Sequence, residues 1–137
     1  AAAALLAVHL LRDLVRAREA AKQDQLRARQ RLSKFLLRSG RRPPQEKSTW
    51  TQKYLEWIRS VRFEHGAQNA TLVDYLGEVD NLAQRIERLE QAIEDAVEAA
   101  SPNVRAVIDG LQALRGVAKL TATTIAIRAT AVPKLRC

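Results

Sequence analysis

Hydrophobic residues recur at helical spacing along most of the chain, most regularly between residues 69 and 100. Four heptads with apolar a and d positions and charged residues around them are typical of a coiled-coil helix. Asn69 is a suitable N-cap for this helix, which the pattern predicts to run to Ala100. The predicted dimer or coiled-coil seam consists of Leu72, Tyr75, Val79, Leu82, Ile86, Leu89 and Ile93.

A second long helix is predicted from Leu5 to about Arg38, because this stretch contains no glycine or proline and is rich in strong helix formers. Gly40 suits the left-handed position after a helix, and Pro43 with Pro44 cannot continue one. Apolar residues recur here every seven positions, at Leu14, Ala21, Ala28 and Phe35, with Leu11, Leu26, Leu32 and Leu36 beside them. We expect an antiparallel pairing with the 69–100 helix, either within one chain or across a dimer.

The periodicity is lost between Arg41 and Gln68, where a basic extended connection precedes a short helix. Thr49 and Gln52 have the spacing of a capping box. An apolar stripe follows at helical spacing and contains both tryptophans, Trp50 and Trp57. The tryptophans could be base-stacking platforms or the core of the bend, and their spacing of seven favours the core.

Beyond residue 100 the sequence pattern predicts two short helices joined by a tight turn. Ser101 and Pro102 are a typical N-cap and first helical residue. The turn Leu114–Ala122 resembles a helix-hairpin-helix motif, although Ala118 replaces its second glycine. Backbone N–H groups at the start of the second helix could hold a phosphate, and a purely structural turn is an equally suitable interpretation.

These patterns predict an all-α protein: a long antiparallel helical hairpin or coiled coil, then a short helix-hairpin-helix-like pair. The hairpin takes residues 1–100, with its loop and short helix at about 40–68. The pair takes residues 101–126, and residues 127–137 are predicted to be an irregular tail.

Charge is distributed unevenly along the chain, whose net charge is +8. Residues 1–47 hold 12 Lys/Arg against 4 Asp/Glu, whereas residues 65–100 hold 2 against 8. This asymmetry favours both internal pairing and binding of a polyanion such as DNA or RNA. The predicted nucleic-acid-binding residues are Arg27, Arg31, Lys34, Arg38, Arg41, Arg42, Lys47, Arg115, Gly116, Lys119 and Thr121.

No catalytic or metal-binding constellation is predicted. His9 and His65 lie far apart without partners at ligand spacing, and Cys137 is the only cysteine. We therefore expect no cofactor, no small-molecule substrate and a reducing, cytoplasmic setting, and the longest uncharged stretch is too short for a membrane span. The absence of methionine leads us to expect a fragment of a longer product.

Several local stretches resemble one protein family in their order and spacing. They are residues 12–19, 34–40, 50–57, 62–65, 74–76 and 114–122. The family comprises insertion-sequence transposases that join a RuvC-like DEDD nuclease domain to a C-terminal serine-bearing domain through a helical coiled coil, also known as bridge-RNA-guided recombinases. The resemblance covers roughly residues 11–126.

The resemblance implies the linker and dimerisation segment and the start of the C-terminal transposase domain. The family's catalytic acidic residues would precede Arg12 and its serine would follow Ile125, so no catalytic residue is assigned here. It also implies DNA, and a structured guide RNA, as partners of a homodimer.

The resulting hypothesis is a transposase fragment that positions domains, dimerises and binds nucleic acid. The alternative is a coiled-coil scaffold or adaptor without nucleic-acid binding. A basic RNA-binding protein of ribosomal type would explain the charge but not the four regular heptads.

Overall fold

The predicted all-α fold is confirmed, because the described residues form five helices and no strand. The computed structural model describes residues 2–44, 49–100, 102–112 and 119–130. The helices are α1 (Ala2–Arg38), α2 (Gln52–Ser60), α3 (Gly66–Glu98), α4 (Pro102–Gln112) and α5 (Lys119–Thr130). The chain divides into a first unit, residues 1–23 with 84–137, and a second unit, residues 24–83.

In the second unit, the end of α1 packs against α2 and the start of α3. The central apolar side chains are Leu32 and Ile58, both fully buried, with Leu36 and Leu72 beside them. Phe35 of α1 contacts both α3 and the segment before it, because its ring centre lies 5.6 Å from that of Tyr75 and 5.7 Å from that of Phe63.

Helix α1 ends in a Schellman motif. The N–H of Arg41 donates to the carbonyl of Leu36 at 2.9 Å, and the N–H of Gly40 donates to that of Leu37 at 3.1 Å. Gly40 has a φ of +71°, as its sequence position predicts, because a glycine has no Cβ to clash in the left-handed region. The motif sets the direction in which the basic residues after α1 leave the helix.

The predicted start of α2 is wrong by two residues. Thr51 is the N-cap, with its hydroxyl accepting from the N–H of Tyr54 at 3.3 Å, whereas the sequence had suggested Thr49. Trp50 precedes this cap with a φ of +65° in a turn. The sequence favoured Thr49 because Gln52, a possible capping-box side chain, stands three residues after it. Thr51 needs no such side chain, because it binds the backbone N–H of Tyr54.

The predicted N-cap of α3 is also wrong. Helix α3 begins at Gly66, and the carbonyl of His65 accepts from the N–H groups of Gln68 and Asn69. Asn69 therefore lies within the first turn of the helix. Its side chain bonds instead to the backbone of Phe63, in the segment that joins α2 to α3.

In the first unit, the start of α1 packs against the end of α3. Leu11 and Val15 share a core with Ile93 and Val97, and Ala122, Ala126 and Ile127 of α5 complete it. Helices α4 and α5 also contact each other. Helix α5 continues to Thr130, into the range where the sequence predicts an irregular tail, because Ala126 and Ile127 are buried on its inner side. Residues 131–137 and the proposed N-cap Ser101 lie outside the described residues.

Candidate nucleic-acid interface

The predicted basic residues of α1 fall into two groups with different surroundings. Arg27 donates to Asp24 at 3.3 Å, and Arg31 lines a surface cavity together with Asp74 and Glu78. Carboxylates therefore offset part of the charge of Arg27 and Arg31. Lys34 is exposed on the next turn of the helix.

Three further arginines lie at and just beyond the end of α1. Arg38 occupies its last turn, and Arg41 and Arg42 follow the Schellman glycine. All three are exposed, and none is ion-paired with a carboxylate in the part of the chain that the structure describes. These arginines concentrate positive charge where the chain turns.

Arg41 does not extend freely into solvent. Its Nη2 donates to the backbone carbonyl of Arg62 at 2.8 Å, and its Cζ lies 5.1 Å from the centre of the Phe63 ring. The ring face attracts the cation while the carbonyl fixes its orientation. This contact brings the end of α1 to the segment after α2.

Arg62 joins this group, although sequence reasoning did not assign it. Its Nη1 donates to the carbonyls of Arg59 at 2.8 Å and of Val61 at 2.9 Å, and its side chain is exposed. Because Arg62 lies in the segment between α2 and α3, no periodic signal in the sequence identifies it. We call Arg38, Arg41, Arg42 and Arg62 the basic corner. Neighbouring Arg59 is instead paired with Asp80 at 3.0 Å.

A shallow cavity of about 360 Å³ adjoins the basic corner. Ile58, Val61, Leu72, Val73 and Leu76 line its apolar part, and Arg59, Arg62 and Asn69 line the rest. Val73 remains 71% exposed on its edge. The cavity thus combines an apolar floor with two guanidinium groups.

The tryptophans are partly buried and pack against the core of the second unit, as the predicted bend core requires. Tyr54 stands between them, with ring centres 5.0 Å from Trp50 and 5.7 Å from Trp57. Arg29 places its Cζ 5.1 Å from the Trp50 ring centre, and burial lowers the pKa of its guanidinium from the ordinary arginine value. The aromatic rings therefore stabilise the bend and hold one cation inside it.

The second predicted phosphate site, in the turn Leu114–Ala122, lies mostly outside the described residues. These include Arg115, Gly116 and the side chain of Lys119, and Lys47 of the first basic group also lies outside them. Thr121 is exposed in the first turns of α5.

The predicted seam of α3 faces α1 of the same chain. Leu72, Val79 and Leu82 are buried in the core of the second unit with Ala28 and Leu32. In the first unit, Ile93 is buried with Leu11 and Val15. Ile86 is buried too, whereas Tyr75 and Leu89 are half-buried.

The acidic residues of α3 are mostly exposed, as expected for the outer side of a heptad helix. Glu90 and Asp80 are half-buried and bind Arg18 and Arg59. Among the described residues, no group of three His, Cys, Asp or Glu side chains could hold a metal ion. Within the described ranges, no helix has the length and hydropathy needed to cross a bilayer.

Two curated transposases are similar to this chain. The protein y4qE of Sinorhizobium fredii, provisionally named a transposase, is 35% identical over 116 residues, which are 85% of this chain and 26% of that protein. The transposase for insertion sequence element IS1533 of Leptospira borgpetersenii is 30% identical over 112 residues, which are 82% of this chain and 32% of that protein. The chain thus spans between a quarter and a third of the length of these relatives. No family model and no solved structure matches it.

Proposed function

We propose that this chain is a helical nucleic-acid-binding segment of an insertion-sequence transposase and that the basic corner contacts the phosphate backbone. Similarity to the two transposases over more than four fifths of the chain supports the kind of protein. The observation that carries the binding role is the exposure of Arg38, Arg41 and Arg42 without paired carboxylates in the described structure.

Stabilisation of helix ends explains only part of this charge. The carbonyl end of a helix carries roughly half a negative charge, which favours a cation in the last turn such as Arg38. Arg62 binds the end of α2 in the same way, through the carbonyl of Arg59. Arg41 and Arg42 lie beyond the last turn of α1, and within the described structure no such helix-end contact accounts for their charge. Surplus positive charge on an exposed turn suits phosphate groups, which are contacted without regard to base sequence.

The finer assignment is to transposases with a RuvC-like DEDD domain and a C-terminal serine-bearing domain. The local resemblances from Arg12 to Ala122 support it, and the strand cleavage chemistry would then lie elsewhere in the longer protein. In this assignment the partners are DNA and a structured guide RNA. The homodimer that the resemblance implies would need exchange of helices or a surface other than the seam of α3, because α1 covers that seam.

A scaffold without nucleic-acid binding is the competing function. The buried seam and the ion pairs Arg18–Glu90 and Arg59–Asp80 favour it, because they use basic residues for internal contacts. The two functions differ in one measurable property, the binding of polyanions by the basic corner.

Fluorescence anisotropy with a labelled duplex DNA and a structured RNA tests the proposal at about 50 and 200 mM salt. Release of counterions from four phosphate contacts would weaken binding roughly 100-fold over this range. The variant Arg38→Glu/Arg41→Glu/Arg42→Glu should lose binding at both salt concentrations.

The matched control is Arg16→Glu/Lys22→Glu/Arg88→Glu, because all three positions are exposed and the change in net charge is the same. We expect the control to bind at least tenfold more tightly than the basic-corner variant. Equal losses would mean that only the total charge matters, and a chain that binds neither nucleic acid would leave the scaffold function.

A further inference from the structure

Arg41 and Arg62 bind carbonyl groups at the end of α2 and just after it. Arg41 donates from Nη2 to the carbonyl of Arg62 at 2.8 Å. Arg62 donates from Nη1 to the carbonyls of Arg59 and Val61, at 2.8 and 2.9 Å. The two positive groups are therefore both attached to one short stretch of backbone, although they come from segments 21 residues apart.

Phe63 and Asn69 hold this stretch in place. The Phe63 ring is 8% exposed and packs against Phe35 on one side and the Arg41 guanidinium on another. Asn69 accepts from the Phe63 N–H at 2.8 Å and donates to the Phe63 carbonyl at 2.9 Å. Because one side chain satisfies both backbone groups of Phe63, a rotation of this segment would break both hydrogen bonds.

The attached guanidinium groups keep donors for a ligand. Each guanidinium carries five N–H groups, and among the described residues carbonyls engage only Nη2 of Arg41 and Nη1 of Arg62. No carboxylate binds the other nitrogens among the described residues. An oxyanion can therefore bind with little further loss of side-chain freedom.

We infer that Arg41 and Arg62 form a two-arginine clamp for one phosphate of a nucleic-acid backbone and that Asn69 is the positioning residue of this clamp. The inference rests on the proposed function, because it names the group that the basic corner binds. It adds that Arg41 and Arg62 act together and not as independent surface charges, and that Asn69 holds the backbone to which they are attached.

A double-substitution cycle tests the clamp. Arg41→Gln and Arg62→Gln should each weaken binding of a labelled duplex DNA about tenfold at low salt, and each should reduce the slope of log affinity against log salt by about 1. The double variant should lose little more than either single variant, because loss of one arginine already opens the clamp. The control cycle combines Lys34→Gln with Arg62→Gln, and there we expect the two losses to multiply.

Asn69→Ala tests the positioning role in two backgrounds. It should weaken binding severalfold in the otherwise unchanged chain and have no further effect in the Arg41→Gln/Arg62→Gln chain. Asn81→Ala, at an exposed position of the same helix, is the control and should bind as the unchanged chain does. Circular dichroism checks that each variant is helical, and Asn69→Ser keeps an acceptor if the alanine variant does not fold.

The outcomes separate the clamp from the proposed function. If the unchanged chain binds but the Arg41 and Arg62 losses multiply, the clamp is wrong and the function stands. If Asn69→Ala weakens binding equally in both backgrounds, its effect is structural and the positioning role is wrong. If the unchanged chain binds neither DNA nor RNA, both proposals are wrong.

Discussion

Arg18 binds Glu90 through two hydrogen bonds to the same carboxylate oxygen, from Nε at 3.1 Å and from Nη2 at 2.9 Å. The Arg18 side chain is only 18% exposed, so water screens this pair less than it screens a fully exposed one. Arg18 is a charged residue on the side of α1 that packs in the first unit. The ion pair shows how this polar position contributes to packing between α1 and α3 in the first unit.

We expect a measurable coupling between Arg18 and Glu90. In a double-mutant cycle with Arg18→Ala and Glu90→Ala, the coupling in the free energy of unfolding should be about 0.5–1 kcal/mol at low salt. Urea denaturation followed by circular dichroism measures it. The exposed pair Arg27–Asp24 is the control and should couple by only about 0.3 kcal/mol. Equal coupling energies in the two pairs would mean that the partial burial of Arg18 does not strengthen its ion pair.

Two glycines should respond in opposite directions to the same substitution. Gly40→Ala should lower the free energy of unfolding by about 1 kcal/mol, because alanine is strained at a φ of +71°. Gly77→Ala should raise it by about 0.5–1 kcal/mol, because Gly77 lies inside α3. A Cβ would meet nothing within 4 Å at either position, so the difference isolates backbone conformation. Thermal and urea unfolding would reveal both signs, and a stabilising Gly40→Ala would contradict the Schellman ending.

Replacing a leucine of α1 by alanine should lower the free energy of unfolding more where the leucine is buried. Leu32 is fully buried, so Leu32→Ala should lower the free energy of unfolding by about 2–4 kcal/mol through lost burial and the cavity left behind. Leu26 is 58% exposed, and Leu26→Ala should change the free energy of unfolding by less than about 0.5 kcal/mol. Urea denaturation of the two variants provides the comparison. A large loss at Leu26 would indicate a contact with another molecule.

Leu26 also shows where the sequence pattern was misleading. It accompanied the heptad positions of α1 in the sequence, but a helix exposes one side even when that side contains a leucine. Three of the four periodic positions, Ala21, Ala28 and Phe35, are buried, and Leu14 is half-buried. Gly40 has the expected positive φ. Periodicity identifies the buried side of a long helix because each turn repeats the same spacing.

The basic corner could be predicted only in part. Arg38, Arg41 and Arg42 lie within five residues of one another, so the sequence alone predicts a local concentration of positive charge. Arg62 lies beside them because its backbone carbonyl accepts a hydrogen bond from the Arg41 side chain, 21 residues earlier in the chain. No local sequence pattern encodes this contact. Asn69 has a side chain suited to capping, but its partner is Phe63 and not the start of its helix, since tertiary contacts decide between two possible hydrogen-bond partners.

The oligomeric state should depend on whether α1 and α3 pair within one chain. Since the seam residues Leu72, Val79 and Ile93 are buried against α1 of the same chain, we expect a melting temperature that does not change between about 5 and 500 μM protein. Ile86→Ala should lower that temperature equally at both concentrations, because Ile86 is buried at the same seam. Differential scanning calorimetry with light scattering at each concentration provides the measurement. A melting temperature that rises with concentration would mean that two chains associate, through exchange of helices or another surface, because mass action stabilises a folded state that binds a partner.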